Sequence, residues 1–222
     1  MKIAGSVITG NIWTTVLVIG SVVLAPLCFA QNDAIPGYIQ SAVNSAERTE
    51  AMTARDAVRH PAEVLALSGV KPGDRVIEFA GFGQYYTTML SNIVGPDGKV
   101  HMFDLPYTEE RAGENSRAFI AAHPNTTYTL VDYNDIQLPQ NVDIVFNVLY
   151  YHDLPLNGID TAALNSKIFA ALKSGGVFLI VDHNAEPGSG TRDTEKLHRI
   201  DPAIINDRKS TRLNSSHITK SY

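Results

Sequence analysis

The sequence predicts an α/β protein built on a doubly wound parallel sheet. Three observations predict it. Short apolar runs rich in β-branched residues recur along the chain, stretches with helical apolar spacing separate them, and glycine-bearing turns stand where a run gives way to a helical pattern. Such alternation favours right-handed βαβ units and hence a parallel sheet.

Taken in order, the chain opens on Lys2 and an almost uncharged apolar run over 12–27. Cys28 and Ala30 then supply small residues three and one before a cut after Ala30. This reads as a secretory signal peptide over 1–30. A membrane-spanning helix needs about 20 apolar residues, and Gly20 and Pro26 interrupt this run. The expected location is therefore periplasmic or secreted, with no stable membrane association after cleavage. Leu27 is too large for the position before a lipidated cysteine. Cys28 is the only cysteine, and cleavage removes it. The mature chain then has no disulfide, no thiolate nucleophile and no cysteine-ligated zinc.

Residues 31–60 read as an N-terminal helical segment: a polar lead-in to Gly37, then an amphipathic helix over 38–59 that suits a lid or packing helix. Pro61 suits the first position of a short helix over 61–67, and one domain runs over 61–206. The run RVIEF at 75–79 is long enough for a buried strand. Gly81 and Gly83 follow at once, where a sharp turn needs unusual dihedrals. Tyr86, Met89, Leu90 and Ile93 then keep helical spacing until Gly95-Pro96-Asp97-Gly98 stops it. The next strand ends in Asp104. That acid lies about 20 residues beyond the glycines, where a carboxylate reaches the ribose hydroxyls of a nucleotide. Further strands are expected near 127–131, 142–149 and 176–182, with a helix over 162–172 before the last.

Together these pieces resemble a class I S-adenosylmethionine-dependent methyltransferase over roughly 45–205. The resemblance rests on the strand–glycine turn–helix–strand–acid layout of 71–104, on YTLVD at 128–132, and on LKSGG before the apolar strand VFLIV. RDAVRHPAEVLALSGVKPGD, YYHDL, VDHNAEPGSG and LHRID are similar to a narrower bacterial group of exported, predicted methyltransferases. The family implies a Rossmann-like sheet in the order 3-2-1-4-5, S-adenosylmethionine as cofactor and a small-molecule substrate. It also implies roles. Glu78 is the acid of the glycine-rich motif, with Ala80, Gly81 and Gly83 in its turn. Asp104 accepts from the ribose, and Asp132 with the backbone of Tyr133 addresses the adenine edge. The family's glycines would fall at Ala80, Phe82 and Gln84, so Phe82 is expected to fill space the cofactor needs. An exported protein is also remote from the cytoplasm, where S-adenosylmethionine is made. These two points motivate a second reading: a non-catalytic or differently catalytic periplasmic binding protein on the same fold.

His152-Asp153 follows the fourth strand and Asp182-His183 the fifth. By the family's strand order the two pairs face one cleft, and His198-Arg199 on the following helix approaches it. They suit a base with its orienter, or an N/O metal site. We read the former, with His152, Asp153 and His183 as the catalytic candidates and no metal assigned. Tyr150-Tyr151 is expected to wall the acceptor pocket, and Tyr85-Tyr86 to pack the first core helix.

With 18 basic and 23 acidic residues the chain carries a net charge of −5, and no basic run breaks that balance. Phosphate contacts need Lys and Arg, so nucleic acid is an unsuitable partner. The tail over 207–222 has no apolar period. Its segment DRKSTRLNSSH back-translates to a common short-read sequencing adapter and is read as non-native. The expected domain thus stops before strands 6 and 7 of the family. The outer edge of the fifth strand should be bare and prone to association, with 207–222 lying loose.

Overall fold

The computed structural model describes residues 34–209 and 216–221, with side chains described as far as Ile205. The signal-peptide reading over 1–30 lies outside the described residues. The first helices are α1 (Gly37–Val43), α2 (Glu50–Thr53), α3 (Asp56–Arg59) and α4 (Pro61–Ser68). The single helix expected over 38–59 is thus three short ones. Its breaks are local: Thr49 caps α2 by accepting from the Met52 amide, and His60, held out of the right-handed region by Pro61, ends α3 at φ +45°.

The core then alternates. β1 (Arg75–Phe79) leads to α5 (Tyr85–Val94) and β2 (Lys99–Asp104). After a 3-10 turn (Pro106–Thr108) and a π-turn (Glu109–Gly113) come α6 (Glu114–Ala122), β3 (Thr126–Leu130) and β4 (Val142–Val148). A 3-10 turn at Tyr151–Asp153 precedes α7 (Thr161–Ala171) and β5 (Leu172–Asp182), followed by α8 (Thr194–Leu197), α9 (Pro202–Lys209) and β6 (Ser216–Ser221).

The sheet order is β3-β2-β1-β4-β5-β6, and every pairing is parallel. Order 3-2-1-4-5 and the five expected strands are therefore present. Successive strand residues feed opposite faces. Val76, Val100, Ile144, Phe146, Leu179 and Val181 pack with α1, α4 and α5 on one side. Ile77, Phe103, Val145, Phe178 and Ile180 pack with α7 and Ile205 on the other.

The tail corrects an expectation. It forms β6, which pairs with β5 from Val177–Ser216 to Asp182–Ser221, so the outer edge of β5 is covered rather than bare. Backbone N–H and C=O groups on a sheet edge must bond somewhere. An extended segment within reach satisfies them whatever its side chains.

Candidate functional site

The turn from β1 into α5 has the backbone of a glycine motif without its glycines. Ala80 sits at φ +59° and Gln84 at φ +47°, both left-handed, at a cost of about 1–2 kcal/mol each. Gln84 is anchored through its side chain, which donates to the Phe82 carbonyl at 2.8 Å and to Ser116 Oγ at 3.0 Å. Gly81 is needed for a different reason: a Cβ there would lie 2.5 Å from Met102 Cγ, so the turn presses on β2. Gly83 faces open space.

Two acids stand beneath this turn. Glu78 is buried and accepts from Thr87 Oγ1 at 2.6 Å. Burial pushes its carboxyl up to about 8; the Thr87 bond opposes this and the charge of Asp104 adds to it. Asp104, at the end of β2, is wholly buried and pushed up to about 7 by burial. The amides of Phe82 and Gly81 offset part of that, yet neither Asp104 oxygen has a hydrogen bond of normal geometry. On β4 the side-chain amide of Asn147, also fully buried, has no partner either. Nothing in the sequence marks Asn147, which sits inside an apolar run.

Beside these groups lies a cavity of about 150 Å³, bounded by Glu78, Ala80, Phe82, Leu149, Tyr150 and the two arginines Arg55 and Arg59. Leu149, like Ala80, is left-handed, at φ +57°. The guanidiniums of Arg48, Arg55 and Arg59 stand 5.2, 4.8 and 5.2 Å from the Tyr85 ring centroid. Tyr85 Oη donates to Asp56 at 2.6 Å, and Arg48 pairs with the same carboxylate. This network ties α3 to α5 and leaves Arg55 and Arg59 lining the same cavity as Glu78. On the outer side Arg111 caps the Phe82 ring at 4.3 Å, and Tyr107 Oη meets Tyr150 Oη at 3.3 Å.

A second cluster forms where β4 and β5 end. His152 is buried, and its Nδ1 lies 2.7 Å from Asp182 Oδ1. Asp182 also accepts from the His152 and His183 amides, at 2.9 and 2.8 Å. Burial disfavours protonating His152, but the bond and charge of Asp182, with Asp153, raise its pKa on balance. The other ring nitrogen, Nε2, faces Asp153 Oδ1 and His198 Nδ1, each at 3.3 Å. Of the expected trio of His152, Asp153 and His183, the first two meet here through their side chains. His183 contributes its backbone, while Asp182 and His198 supply the side chains. Strand alternation explains the exchange: Phe178, Ile180 and Asp182 share one face of β5, and His183 falls on the other.

No family model matches the chain. A solved S-adenosylmethionine-dependent methyltransferase from Aquifex aeolicus superposes with a TM-score of 0.56 at 22% identity, over 70% of this chain and 81% of that one. The chain has the class I methyltransferase fold. Among curated relatives, the ubiquinone/menaquinone biosynthesis C-methyltransferase UbiE of Pseudomonas savastanoi pv. phaseolicola is 30% identical over 125 residues, 53% of this chain and 45% of its own. That of Ectopseudomonas mendocina is 30% identical over 132 residues, 56% of this chain and 47% of its own. The chain thus spans less than half the length of these relatives.

Within the methyltransferase fold, the structure brings Glu78, Ala80, Gly81, Gly83 and Asp104 together at the carboxyl ends of β1 and β2. Of these, Glu78, Ala80, Gly81 and Gly83 line the cavity and Asp104 lies buried behind the turn; Asp132 and Tyr133 do not reach the cavity. Asp132 is exposed and accepts from the Asn134 amide at 2.9 Å, an Asx turn. Tyr133 is fully buried, packs edge-on against Phe79 and donates to the Phe103 carbonyl at 2.7 Å. Its ring is core.

Proposed function

We propose that the protein is an S-adenosylmethionine-dependent methyltransferase acting on a small-molecule acceptor. The observation that carries this is Asp104: a fully buried carboxyl at the end of β2 beside a left-handed turn, with only the Phe82 and Gly81 amides near it and no hydrogen bond of normal geometry on either oxygen. Buried acceptors without donors are costly, and a pair of ribose hydroxyls supplies donors suited to a carboxylate. The curated relatives, C-methyltransferases by name, support the same reading. Glu78, backed by Thr87, and the turn from Ala80 to Gly83 would hold the amino-acid end. When bound, S-adenosylmethionine supplies an electrophilic methyl group on a sulfonium. What remains for the protein is alignment and exclusion of water. Leu149 and Tyr150 wall the cavity on the β4 side. Arg55 and Arg59, on the same cavity as Glu78, set positive charge suited to an anionic group on cofactor or acceptor.

The cavity, at about 150 Å³, is smaller than the ~300–1,000 Å³ of typical ligand sites. Phe82, with Arg111 on its ring, therefore has to swing out for a cofactor to enter. The same contraction favours a second reading, a periplasmic small-molecule-binding protein whose former cofactor site Phe82 closes. Calorimetry with S-adenosylmethionine on the full chain separates the two. Binding that Asp104→Asn weakens about tenfold to a hundredfold, as for a buried hydrogen bond broken on one side, supports the enzyme. Absence of binding to both wild type and Phe82→Gly supports the binding protein. Export rests on the signal-peptide reading over 1–30, and mass spectrometry of the N-terminus in cell fractions tests it.

A further inference from the structure

We propose that His152, Asp153 and His198 bind a divalent transition-metal ion, with Zn²⁺ the best fit, and leave one coordination position open. Three potential ligand atoms converge on one point. His152 Nε2 is 3.3 Å from Asp153 Oδ1 and 3.3 Å from His198 Nδ1, and those two are 3.5 Å apart. A tetrahedral ion about 2.0–2.1 Å from each ligand requires separations of about 3.3–3.4 Å between them. The observed triangle has that size before any ion is placed.

The rest of the geometry agrees. Asp182, buried behind His152, accepts from Nδ1 at 2.7 Å. This fixes the tautomer that leaves the Nε2 lone pair aimed at the cluster, the carboxylate–histidine support characteristic of metal-ligating imidazoles. Asp182 itself is held by two backbone amides.

His198 reaches the cluster from a separate segment that is tied down. Ile200 N donates to the His183 carbonyl and Ala185 N to the Ile200 carbonyl, both at 3.0 Å. Asp201 accepts from the Gly188 amide at 2.7 Å. His198 is left-handed, at φ +49°, the kind of backbone strain that collects at functional sites.

Two imidazoles and one carboxylate suit Zn²⁺, Fe²⁺ or Co²⁺ rather than Mg²⁺ or Ca²⁺, which prefer all-oxygen shells. The His198 side chain is 63% exposed and that of Asp153 25%, so the fourth position opens toward solvent, as in catalytic rather than structural zinc sites. Tyr150, two residues before His152, lines the cavity. This site does not depend on the methyltransferase reading, since metal binding is measured without the cofactor.

The test uses the full chain, free of affinity tags and stripped with a chelator. It is titrated calorimetrically with Zn²⁺ alone and followed by Co²⁺ absorption. We expect one Zn²⁺ per chain, an intense four-coordinate Co²⁺ spectrum and no displacement by Mg²⁺. His198→Ala, an exposed position whose loss spares the core, should weaken binding at least tenfold, as should Asp153→Asn. Asp182→Asn, a positioning change, should weaken it about 10–100-fold. Metal-free melting curves check that each variant folds. Should Asp182→Asn fail to fold, the two exposed-side variants still decide. Zn²⁺ affinity unchanged in both His198→Ala and Asp153→Asn would overturn the proposal, as would no stoichiometric binding to wild type. The cluster would then be a hydrogen-bond network only.

Discussion

Glu78, the penultimate residue of β1, and Asp104, the last of β2, stand near the carboxyl ends of adjacent parallel strands with both carboxyls buried, and the charge of Asp104 adds to burial in holding Glu78 protonated. Such a pair is expensive to ionise together. It makes the first prediction one of stability against pH. Both folded pKa values lie above the ordinary carboxyl values of 4.5 and 3.8, at about 8 for Glu78 and about 7 for Asp104. Between the ordinary and the raised values the folded state holds more protons than the unfolded one, so stability falls as pH rises. Their contribution is full below about pH 4 and is lost by about pH 8. Denaturant unfolding at pH 5 and pH 8 should show wild type the less stable at pH 8, with Glu78→Gln and Asp104→Asn each flattening the difference. A slope that neither substitution changes would mean these acids are not held neutral.

Ala80 carries the second prediction. It occupies a left-handed conformation without a side chain that gains from it. Ala80→Gly removes about 1–2 kcal/mol of local strain and adds about 0.5–1 kcal/mol of unfolded-chain entropy. A net gain of roughly 0.5–1 kcal/mol is expected in denaturant unfolding. A loss of stability would show that the turn does not take this backbone in solution.

The two glycines of the same turn should behave oppositely. Gly81→Ala places a Cβ 2.5 Å from Met102 Cγ, overpacking that typically costs about 1–3 kcal/mol. Gly83→Ala meets nothing within 4 Å and should change stability by no more than about 1 kcal/mol. Thermal melts of the pair decide the matter, and equal effects would contradict the contact between the turn and β2.

The difference between these glycines also shows what the sequence makes legible. Strands β1, β2 and β4 stand out because their apolar runs are buried whatever surrounds them. That Gly81 rather than Gly83 is sterically required depends on Met102, a partner from the neighbouring strand that no local pattern reveals. Asp182 was legible in principle, since alternation along Phe178 and Ile180 puts it on the His152 side. His198 was harder to place, because its position depends on the bridge from Asn184 to Ile200 that folds the segment back. The breaks in the N-terminal helix follow from Thr49 and from Pro61 acting on His60, local signals that the apolar periodicity of 38–59 masks. β6 had no pattern at all; its pairing is a property of the β5 edge.

Phe82 is the last and most direct probe of the site. Its ring borders the cavity and is capped by Arg111 at 4.3 Å, a contact worth about 0.5–1 kcal/mol at an exposed position. If that contact alone holds the ring over the cavity, removing either member should favour cofactor entry. Phe82→Gly is expected to tighten S-adenosylmethionine at least tenfold. Phe82→Ala should do nearly as well, which separates lost bulk from added loop freedom. Arg111→Ala should give a smaller gain of about twofold to fivefold, matching release of a contact of that size. Calorimetry on the three variants and wild type reads all four affinities. Strong wild-type binding with no gain in any variant would show that the turn carries the cofactor along another path, and that Phe82 is a wall of the site rather than its obstruction.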